Sequence, residues 1–236
     1  MYQKHSRNEL PANLDTPIWR YINLAKFLDL LRTSELYFAR ADTLNDPFEG
    51  SWPLGGIKRR QERYVDSEET FKWLSHGYLS GTYLNCWHIS EYESAAMWSL
   101  YLNASEGVAI RSTCNRLIQA AALSKEDVHV TQVRYIDYSK EDFEEEHHGD
   151  CLAPLLYKRR SFEHEKELRA IICRAFAQNR PEDGVRIIID LPKLVESVYV
   201  SPNAPSWFKP IVEDIVFRFN HKFPVHQSEL SKDPVY

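Results

Sequence analysis

The chain has 236 residues, of which 43% are apolar and 13% are aromatic, and this is enough material for one large domain with a packed core. Its formal net charge of −5 excludes a global electrostatic attraction to nucleic acid or to an anionic membrane. No apolar run approaches the roughly 18 residues that a membrane-spanning helix needs, so we expect no membrane segment.

Capping residues and hydrophobic periodicity predict the elements of the first hundred residues. Residues 1–15 are polar, and we expect a flexible N-terminus followed by a single domain over residues 16–236. The predicted elements of this half are strands at Ile18–Ile22, Ser34–Ala39 and Thr82–His88, and helices at Leu24–Leu31 (capped by Asn23), Lys58–Leu79 and Glu91–Tyr101.

The second half of the chain mixes strands and helices in the same way. The predicted strands are Gly107–Ser112, Val128–Tyr138, Gly184–Asp190 and Glu196–Val200, and the predicted helices are Asn115–Ala122, Cys151–Arg160 and Ile211–Phe219. Because no regular βαβ rhythm emerges, the pattern predicts an α+β fold, with a central mixed or mainly antiparallel sheet flanked by helices. We expect the acidic run Glu141–Asp150 to be a mobile surface loop.

Familiar chemical motifs are absent from the sequence. No P-loop, GxGxxG, HExxH or GxSxG pattern occurs. The four cysteines form no Cys-x-x-Cys pair, which disfavours a zinc ribbon, and no signal peptide precedes them. We therefore expect reduced thiols in a cytoplasmic protein, and the sequence assigns no metal site.

The segment YKRRSFEHEKELRAII, Tyr157–Ile172, carries the strongest signal for a polar site. If it is a strand, the alternate residues Glu163, Glu165, Glu167 and Arg169 share one face. Because such a face is costly to bury, it is expected to lie in solvent or to line a polar cleft. A structural ion pair between Glu165 and Arg169 is an equally good interpretation.

A turn-rich segment, Thr43–Gly50, supplies two further candidate pocket residues, Asp46 and Glu49. Two carboxylates on a loop could reach a cation or the hydroxyl groups of a ligand. The structural alternative is that Asn45 and Asp46 close an Asx-turn. We also expect Arg40 and Asp42 to form an ion pair beside this turn.

Two more groups of residues have both a functional and a structural interpretation. Cys86 and His88 would share a strand face, where they could form a Cys–His nucleophile pair, although a buried cysteine is commoner. Glu93 lies four residues before Met97 on a predicted helix stripe that is more typical of core, and Trp98 adjoins it. Glu93 would need a partner, for which Arg40 or Arg169 is available.

Four sequence blocks, taken together, resemble a widespread bacterial family known as domain of unknown function 2971. The resemblance spans about Trp19 to Pro205 and implies no settled activity. The blocks are WRYINLAKFLDLLRTSELYFARADTLNDPFEG, NCWHISEYESAAMWSLYLNASEGVAIRST, YKRRSFEHEKELRAII and VYVSPNAP.

The chain also resembles ADP-ribosyltransferase toxins in the order of a few features. Arg20 lies in a first strand, Ser34–Ala39 forms a second, and Glu165-Lys166-Glu167 supplies a late ExE pair, but no Ser-Thr-Ser motif follows the second strand. The resemblance implies that Arg20 holds NAD, with Arg40 as a further cofactor-binding candidate, and that Tyr37 stacks on the nicotinamide. It also implies that Glu167, paired with Glu165, is catalytic and stabilises an oxocarbenium-like transition state.

Three classes of function remain open from the sequence. The leading one is an ADP-ribosyltransferase-like enzyme with a nucleotide pocket and NAD as cofactor, in toxin or phage-defence biology. The second is a non-catalytic module that binds nucleic acid or a partner protein through a groove built from Lys58–Arg60 and Lys158–Arg160. The third is a metal-dependent hydrolase or nuclease that uses Asp46, Glu49 and Glu165. The sequence assigns no oligomeric state.

Overall fold

The computed structural model describes residues 9–44, 46–63, 68–102, 106–177 and 184–234. The strands in these ranges are β1 Pro17–Asn23, β2 Glu35–Arg40, β3 Thr82–Ile89, β4 Gly107–Thr113, β5 His129–Gln132, β6 Arg134–Ile136, β7 Tyr157–Arg159, β8 Glu167–Cys173, β9 Gly184–Ile188, β10 Ser197–Val200 and β11 Val225–Gln227. The helices are α1 Leu24–Thr33, α2 Leu54–Arg63, α3 Glu68–Ser80, α4 Ala95–Tyr101, α5 Cys114–Ala120, α6 Leu191–Leu194 and α7 Phe208–Arg218.

Nine of these strands form one central sheet, and β6 and β7 form a separate parallel pair. The central sheet is mixed, because β10 and β11 pair in parallel whereas its other pairings are antiparallel. Its main path runs β11-β10-β4-β1-β3-β2-β9, and β8 joins β3 to β5. Helices flank the sheet, so the predicted single α+β domain with a central mixed sheet is what the chain forms.

Strand β3 has two edges that are paired very differently. One edge pairs with β8 along the whole of Thr82–His88. The other edge is shared, because β1 pairs at His88 and Ile89 whereas β2 pairs at Tyr83 and Leu84. Between these two pairings the described residues place no strand against the middle of β3, so the sheet opens there into a cleft.

Most of the elements predicted from the first half of the chain are confirmed. The side chain of Asn23 caps α1 by accepting a hydrogen bond from the Lys26 amide at 2.9 Å. The helix predicted at Lys58–Leu79 corresponds to α2 and α3, and residues 64–67 of this prediction lie outside the described residues. The helix predicted from Glu91 begins later, at Ala95, because Ser94 caps it through the amide of Met97.

Two predictions in the second half of the chain are wrong, and a third, the exposed acidic loop, holds only in part. The strand predicted at Val128–Tyr138 is divided into β5 and β6, because the chain leaves β8 after Val133, and the Arg134 amide donates to the Leu156 carbonyl at 2.9 Å as β6 pairs with β7. Cys151–Arg160 is not a helix: it contains a 3-10 turn at Ala153–Leu155, with Pro154, and then β7. The acidic run is packed rather than wholly exposed, with Phe143 buried and His147 bound to the Tyr157 hydroxyl at 2.6 Å.

The N-terminal expectation falls partly outside the described residues, since residues 1–8 are not among them. None of the four cysteines, all of which are described, forms a disulfide. Along the described parts of the chain, we find no helix with the length and apolarity to cross a membrane.

Candidate active site

The most polar part of the interior is a cluster of five buried ionisable side chains next to β3, namely Glu49, Lys158, Glu165, Glu167 and Arg169. Arg169 donates from Nε and Nη2 to the two carboxylate oxygens of Glu167 at 2.8 and 2.9 Å. Its Nη1 lies 2.6 Å from Glu49 Oε1, without hydrogen-bond alignment, and donates to the Leu155 carbonyl at 2.8 Å. Lys158 contacts Glu165 and lies 3.5 Å from Glu167 Oε2.

Local backbone geometry brings these side chains together from separate elements. Glu167 and Arg169 alternate with the core residue Leu168 on β8, so both point to the face away from the main core. Lys158 comes from β7 in the small sheet. Glu49 precedes Gly50, whose φ of +71° and whose contact with Leu79 leave no space for a Cβ atom.

The strand predicted for Glu163–Arg169 is only half correct. Arg160–Glu165 is a 3-10 helix, and Lys166 takes a left-handed conformation with φ of 39° before β8 begins at Glu167. Glu165 therefore reaches the cluster from the 3-10 turn rather than from the strand, and Glu163 remains in solvent. Of the four residues predicted to share a strand face, Glu167 and Arg169 do so on β8, and Glu165 joins them from the 3-10 turn.

The cluster keeps Glu167 ionised. Burial alone would raise the pKa of Glu167, but the charge and hydrogen bonds of Arg169, the charge of Lys158 and a hydrogen bond from Cys86 lower it to about 2. The same contacts hold the pKa values of Arg169 and Lys158 above their ordinary values despite burial. Three carboxylates against two cations leave this five-residue cluster with one excess negative charge.

Asp46 and Arg159 form a neighbouring neutral pair. Arg159 donates to both oxygens of Asp46, at 3.2 and 2.5 Å, and its guanidinium lies over the rings of Phe48 and Phe162. Asp46 also accepts from the Phe48 amide at 3.1 Å, so its predicted Asx-turn is confirmed, whereas Asn45 lies outside the described residues. The bidentate pair holds the 46–49 turn against β7.

A cavity of about 530 Å³ adjoins the cluster and lies along the open part of β3. Its wall combines the charged cluster with aromatic side chains and with Arg20, Cys86 and His88. The aromatic side chains that line it are Trp19, Tyr21, Trp87, Tyr101 and Phe162. Both its volume and its mixture of apolar walls with a few polar groups are typical of a small-molecule site.

Arg20 lines this cavity and has no carboxylate partner among the described residues; Lys26, which also lines it, has none there either. Its Nη1 donates to the Cys86 carbonyl at 3.1 Å, on the edge of β3 that no strand covers, and its guanidinium lies 5.9 Å from the Trp87 ring. Burial lowers the pKa of Arg20, although the group remains charged at neutral pH. A partly buried cation without a counter-ion is suited to an anionic ligand.

Cys86 and His88 do share a face of β3, opposite Arg169 and Glu167 of β8 respectively. Burial and the charge of Glu167 raise the pKa of the Cys86 thiol well above its ordinary value, which argues against a thiolate nucleophile. His88 Nδ1 lies 2.6 Å from the Glu165 carbonyl oxygen, to which it must donate, and burial lowers the pKa of His88. The imidazole is therefore neutral at neutral pH, with Nε2 unprotonated.

Some predicted site residues lie away from this cavity. The ring of Tyr37 is against Arg186, which is opposite it on β9, with 5.4 Å from guanidinium to ring centre. Arg40 pairs with Asp42 at 2.6 Å, as expected, and does not line the cavity. The stacking and binding roles implied for these two residues therefore lack a geometric basis here.

Glu93 and Trp98 form a structural pair. Glu93 accepts from Trp98 Nε1 at 3.0 Å and from the Glu229 amide at 2.8 Å, so its partners are neither Arg40 nor Arg169. Trp98 is buried edge-on to Tyr21, with 4.9 Å between ring centres. These contacts hold α4 against β1, and α4 in turn supplies Tyr101 to the cavity.

The basic groove required by the nucleic-acid hypothesis is not formed by the two runs. Lys158 and Arg159 are paired inside the site, and Arg160 pairs with Glu141. In the other run, Arg59 pairs with Asp142, and Arg60 lies over aromatic rings. The charges of the two runs are dispersed, and four of the six cations have carboxylate partners, which weakens the binding-module hypothesis.

The carboxylates proposed for a metal are already matched by cations: Asp46 by Arg159, Glu165 by Lys158, and Glu49 by Arg169. A divalent ion would have to displace these pairs. The group in the described chain with a spacing suited to a metal is instead Glu144, Glu146 and His147, and Arg134 contacts both of its carboxylates. The geometry thus gives the metal-hydrolase hypothesis no support.

Sequence reasoning missed the contributions of Lys158, Arg159, Phe162 and Tyr101 to the site. The sequence places the two cations in the basic run Lys158–Arg160, which was assigned to a candidate nucleic-acid groove. An available signal was the proximity of KRR to the acidic FEHEKE segment, since opposite charges a few residues apart can neutralise each other when the chain turns. The 3-10 turn between them makes this contact possible.

No family model and no curated protein matches the chain, so the resemblance to domain of unknown function 2971 is not confirmed. Among solved structures, the chain is similar to DarT of Thermus sp. 2.9 in complex with NAD+ (TM-score 0.44, 11% identity, covering 94% of this chain and 99% of that one). It is also similar to that protein with ADP-ribosylated ssDNA (TM-score 0.42, 14% identity, covering 94% and 97%). With TM-scores below 0.5, these similarities assign no activity to the chain.

Proposed function

We propose that the cleft beside β3 binds a dinucleotide of the NAD type and that the protein cleaves its N-glycosidic bond to nicotinamide, transferring ADP-ribose to an acceptor. The observation that carries the proposal is that Arg20, a cation without a carboxylate partner among the described residues, and the ionised Glu167 line the same cavity. Arg20 supplies a positive charge that can bind the pyrophosphate, and Glu167 supplies a negative charge near the cation that develops on the ribose.

The reaction makes specific electrostatic demands. The bond between the ribose anomeric carbon and the nicotinamide nitrogen breaks, and the bonding electron pair leaves with neutral nicotinamide. Positive charge then develops on the ribose, until an acceptor nucleophile forms a new bond to that carbon and loses its proton. A site with one excess negative charge favours this transition state over a neutral site.

The size of this effect can be estimated from Coulomb's law. One unit of charge at about 5 Å, with an effective dielectric constant of about 20, stabilises a cation by roughly 3 kcal/mol. This corresponds to about a hundredfold in rate. The charge is useful because the paired cations hold the carboxylates in place, so little reorganisation accompanies the reaction.

The walls of the cavity fit the apolar parts of such a ligand. Tyr21 and Tyr101 lie on the cavity surface, and burial raises the pKa of each, so both remain protonated and can stack or donate hydrogen bonds. We assign the stacking role to this aromatic wall in place of Tyr37.

The first test is calorimetric titration of NAD into the purified protein and into Arg20→Ala. We expect binding by the wild type and a loss of at least about tenfold in affinity in the variant, because a charged pair to the pyrophosphate is removed. Arg186→Ala is the matched control, since Arg186 is an ion-paired arginine outside the cavity. The affinity of this variant for NAD should equal that of the wild type. No binding at millimolar NAD by the wild type would overturn the proposal.

The second test separates binding from chemistry. Glu167→Gln should release nicotinamide, measured by liquid chromatography, about a hundredfold more slowly while it still binds NAD, because the substitution removes the excess negative charge of the cluster. Thermal unfolding must show that the variant is folded. Unchanged nicotinamide release would exclude Glu167 from the reaction.

We also extend the proposal to toxin or phage-defence biology, which rests on the sequence resemblance around Glu165-Lys166-Glu167. Induced expression of the wild type in bacteria is then expected to slow growth, and expression of Glu167→Gln at the same level to leave it normal. Equal growth of both cultures would remove this biological setting without affecting the enzymatic proposal.

A further inference from the structure

A second cavity, of about 290 Å³, lies between α2, α3 and residues 148–155. It shares no lining residue with the first cavity, so it is a separate site. Its walls are mainly apolar, with Leu74, Leu79, Pro154 and Leu155 among the residues that form them. Nothing proposed above for the cleft of the sheet uses this space.

Arg60 provides the polar end of this second cavity. Its guanidinium lies 4.2 Å from the ring centre of Trp52 and 5.0 Å from that of Phe71, so it contacts two aromatic rings. Its Nε donates to the Gly56 carbonyl at 3.4 Å, within the same helix. The two terminal nitrogens of Arg60 have no carboxylate partner among the described residues.

Two other arginines of α2 lie close to Arg60. Arg59, Arg60 and Arg63 line the cavity, against one carboxylate, Asp150, whose Oδ1 accepts from the Leu152 amide at 2.9 Å. Arg59 is neutralised by Asp142. Burial and the charge of Arg59 lower the pKa of Arg60, with Asp142 offsetting part of this, so an anion placed on Arg60 would be favourable.

We propose that this cavity binds a small carboxylic acid with an apolar body. The carboxylate accepts two parallel hydrogen bonds from the terminal nitrogens of Arg60, the arrangement that guanidinium favours. The apolar body lies along the leucine and proline wall, where its burial supplies the hydrophobic part of the affinity.

The test uses octanoate as the probe and octanol as its neutral counterpart, titrated by calorimetry. We expect octanoate to bind in the millimolar range or tighter and octanol to bind at least about tenfold more weakly, because the charged contact is lost. Arg60→Gln should weaken octanoate binding by about the same factor. Lys58→Gln, on the exposed side of the same helix, should leave it unchanged.

A second variant tests the cavity without changing Arg60, in case Arg60→Gln does not fold. Ser75 lines the cavity on α3, away from Arg60 in the sequence, and Ser75→Phe should fill the space and abolish octanoate binding. Circular dichroism and thermal unfolding establish that each variant is folded. The proposal is overturned if the wild type does not bind octanoate, if octanol binds equally well, or if a folded Arg60→Gln binds as well as the wild type.

Discussion

Two arginines near the same cavity have opposite environments. Arg169 is fully buried and contacts Glu167, Glu49 and the Leu155 carbonyl. Arg20 is partly buried and contacts one backbone carbonyl, that of Cys86, with no carboxylate among the described residues. The difference separates a cation that holds the protein together from a cation available to a ligand.

The comparison has a physical basis in the cost of buried charge. Removing one member of a buried pair leaves the other uncompensated, so the pair is expensive to break even where its net contribution is small. A cation without a counter-ion contributes little to stability and much to the affinity for an anion. Substituting each arginine therefore tests the assignment directly. We expect the loss of stability to be much larger for Arg169 than for Arg20.

The largest expected effect is that of Arg169→Met. It leaves Glu49 and Glu167 buried beside Lys158, and we expect the free energy of unfolding to fall by about 3–5 kcal/mol, measured in urea. Arg186→Ala, which breaks an exposed pair with Asp29, is the control and should cost at most about 1 kcal/mol. If the two variants unfold alike, Arg169 is not the structural centre of the cluster.

Acid should unfold the protein through Glu167. Its pKa is about 2 in the folded protein against an ordinary value of 4.5, so the unfolded chain binds a proton that the folded protein does not. The stabilisation is complete above about pH 5 and is lost as the pH falls towards 2, a total of about 3 kcal/mol. Urea unfolding at each pH measures the slope.

Two variants check the origin of this slope. Glu167→Gln should flatten the dependence between about pH 5 and pH 2, because its side chain no longer titrates. Glu68→Gln, which removes an exposed carboxylate paired with Lys72, should leave most of it unchanged. A slope that survives in Glu167→Gln would assign the acid sensitivity to other carboxylates.

Sequence patterns predicted the fold where local signals agree with tertiary structure. Asn23 is a strong helix cap, and the cap and the following helix form as expected. The split of Val128–Tyr138 into two strands could not be predicted, because it depends on the pairing of β6 with β7, where the Arg134 amide donates to the Leu156 carbonyl, 22 residues away in the chain. Periodicity does not report which partner strand a segment joins.

The candidate site was predictable in part for the same reason. Alternation correctly grouped Glu167 with Arg169, because both lie on one strand. It could not show that Glu165 arrives from a 3-10 turn, nor that Lys158 and Arg159 enter from a separate two-stranded sheet. Arg20 was selected from its place in the first strand, but its lack of a carboxylate partner is visible only once the neighbouring chain is in place.

Arg159 is the intermediate case in the comparison. It has a bidentate carboxylate partner, as Arg169 does, but its side chain is 33% exposed. Arg159→Ala should cost about 1–2 kcal/mol, from the loss of the pair with Asp46 and of the contacts with Phe48 and Phe162. A double-mutant cycle with Asp46→Asn isolates the ion pair, and additive losses would mean that the two side chains do not interact in solution.

The smallest effect on stability should be that of Arg20→Met. The variant loses one hydrogen bond to the Cys86 carbonyl, worth about 1 kcal/mol. It also removes the cost of holding an uncompensated charge in a partly buried site, so the loss and the gain nearly cancel. We expect the urea midpoint to stay within the range of the Arg186→Ala control while NAD affinity falls. A loss of stability comparable to that of Arg169→Met would make Arg20 a structural cation, and the cleft would then lose its anion-binding group. If Arg169→Met mainly loses stability and Arg20→Met mainly loses NAD affinity, one cavity contains both a structural arginine and a ligand-binding arginine.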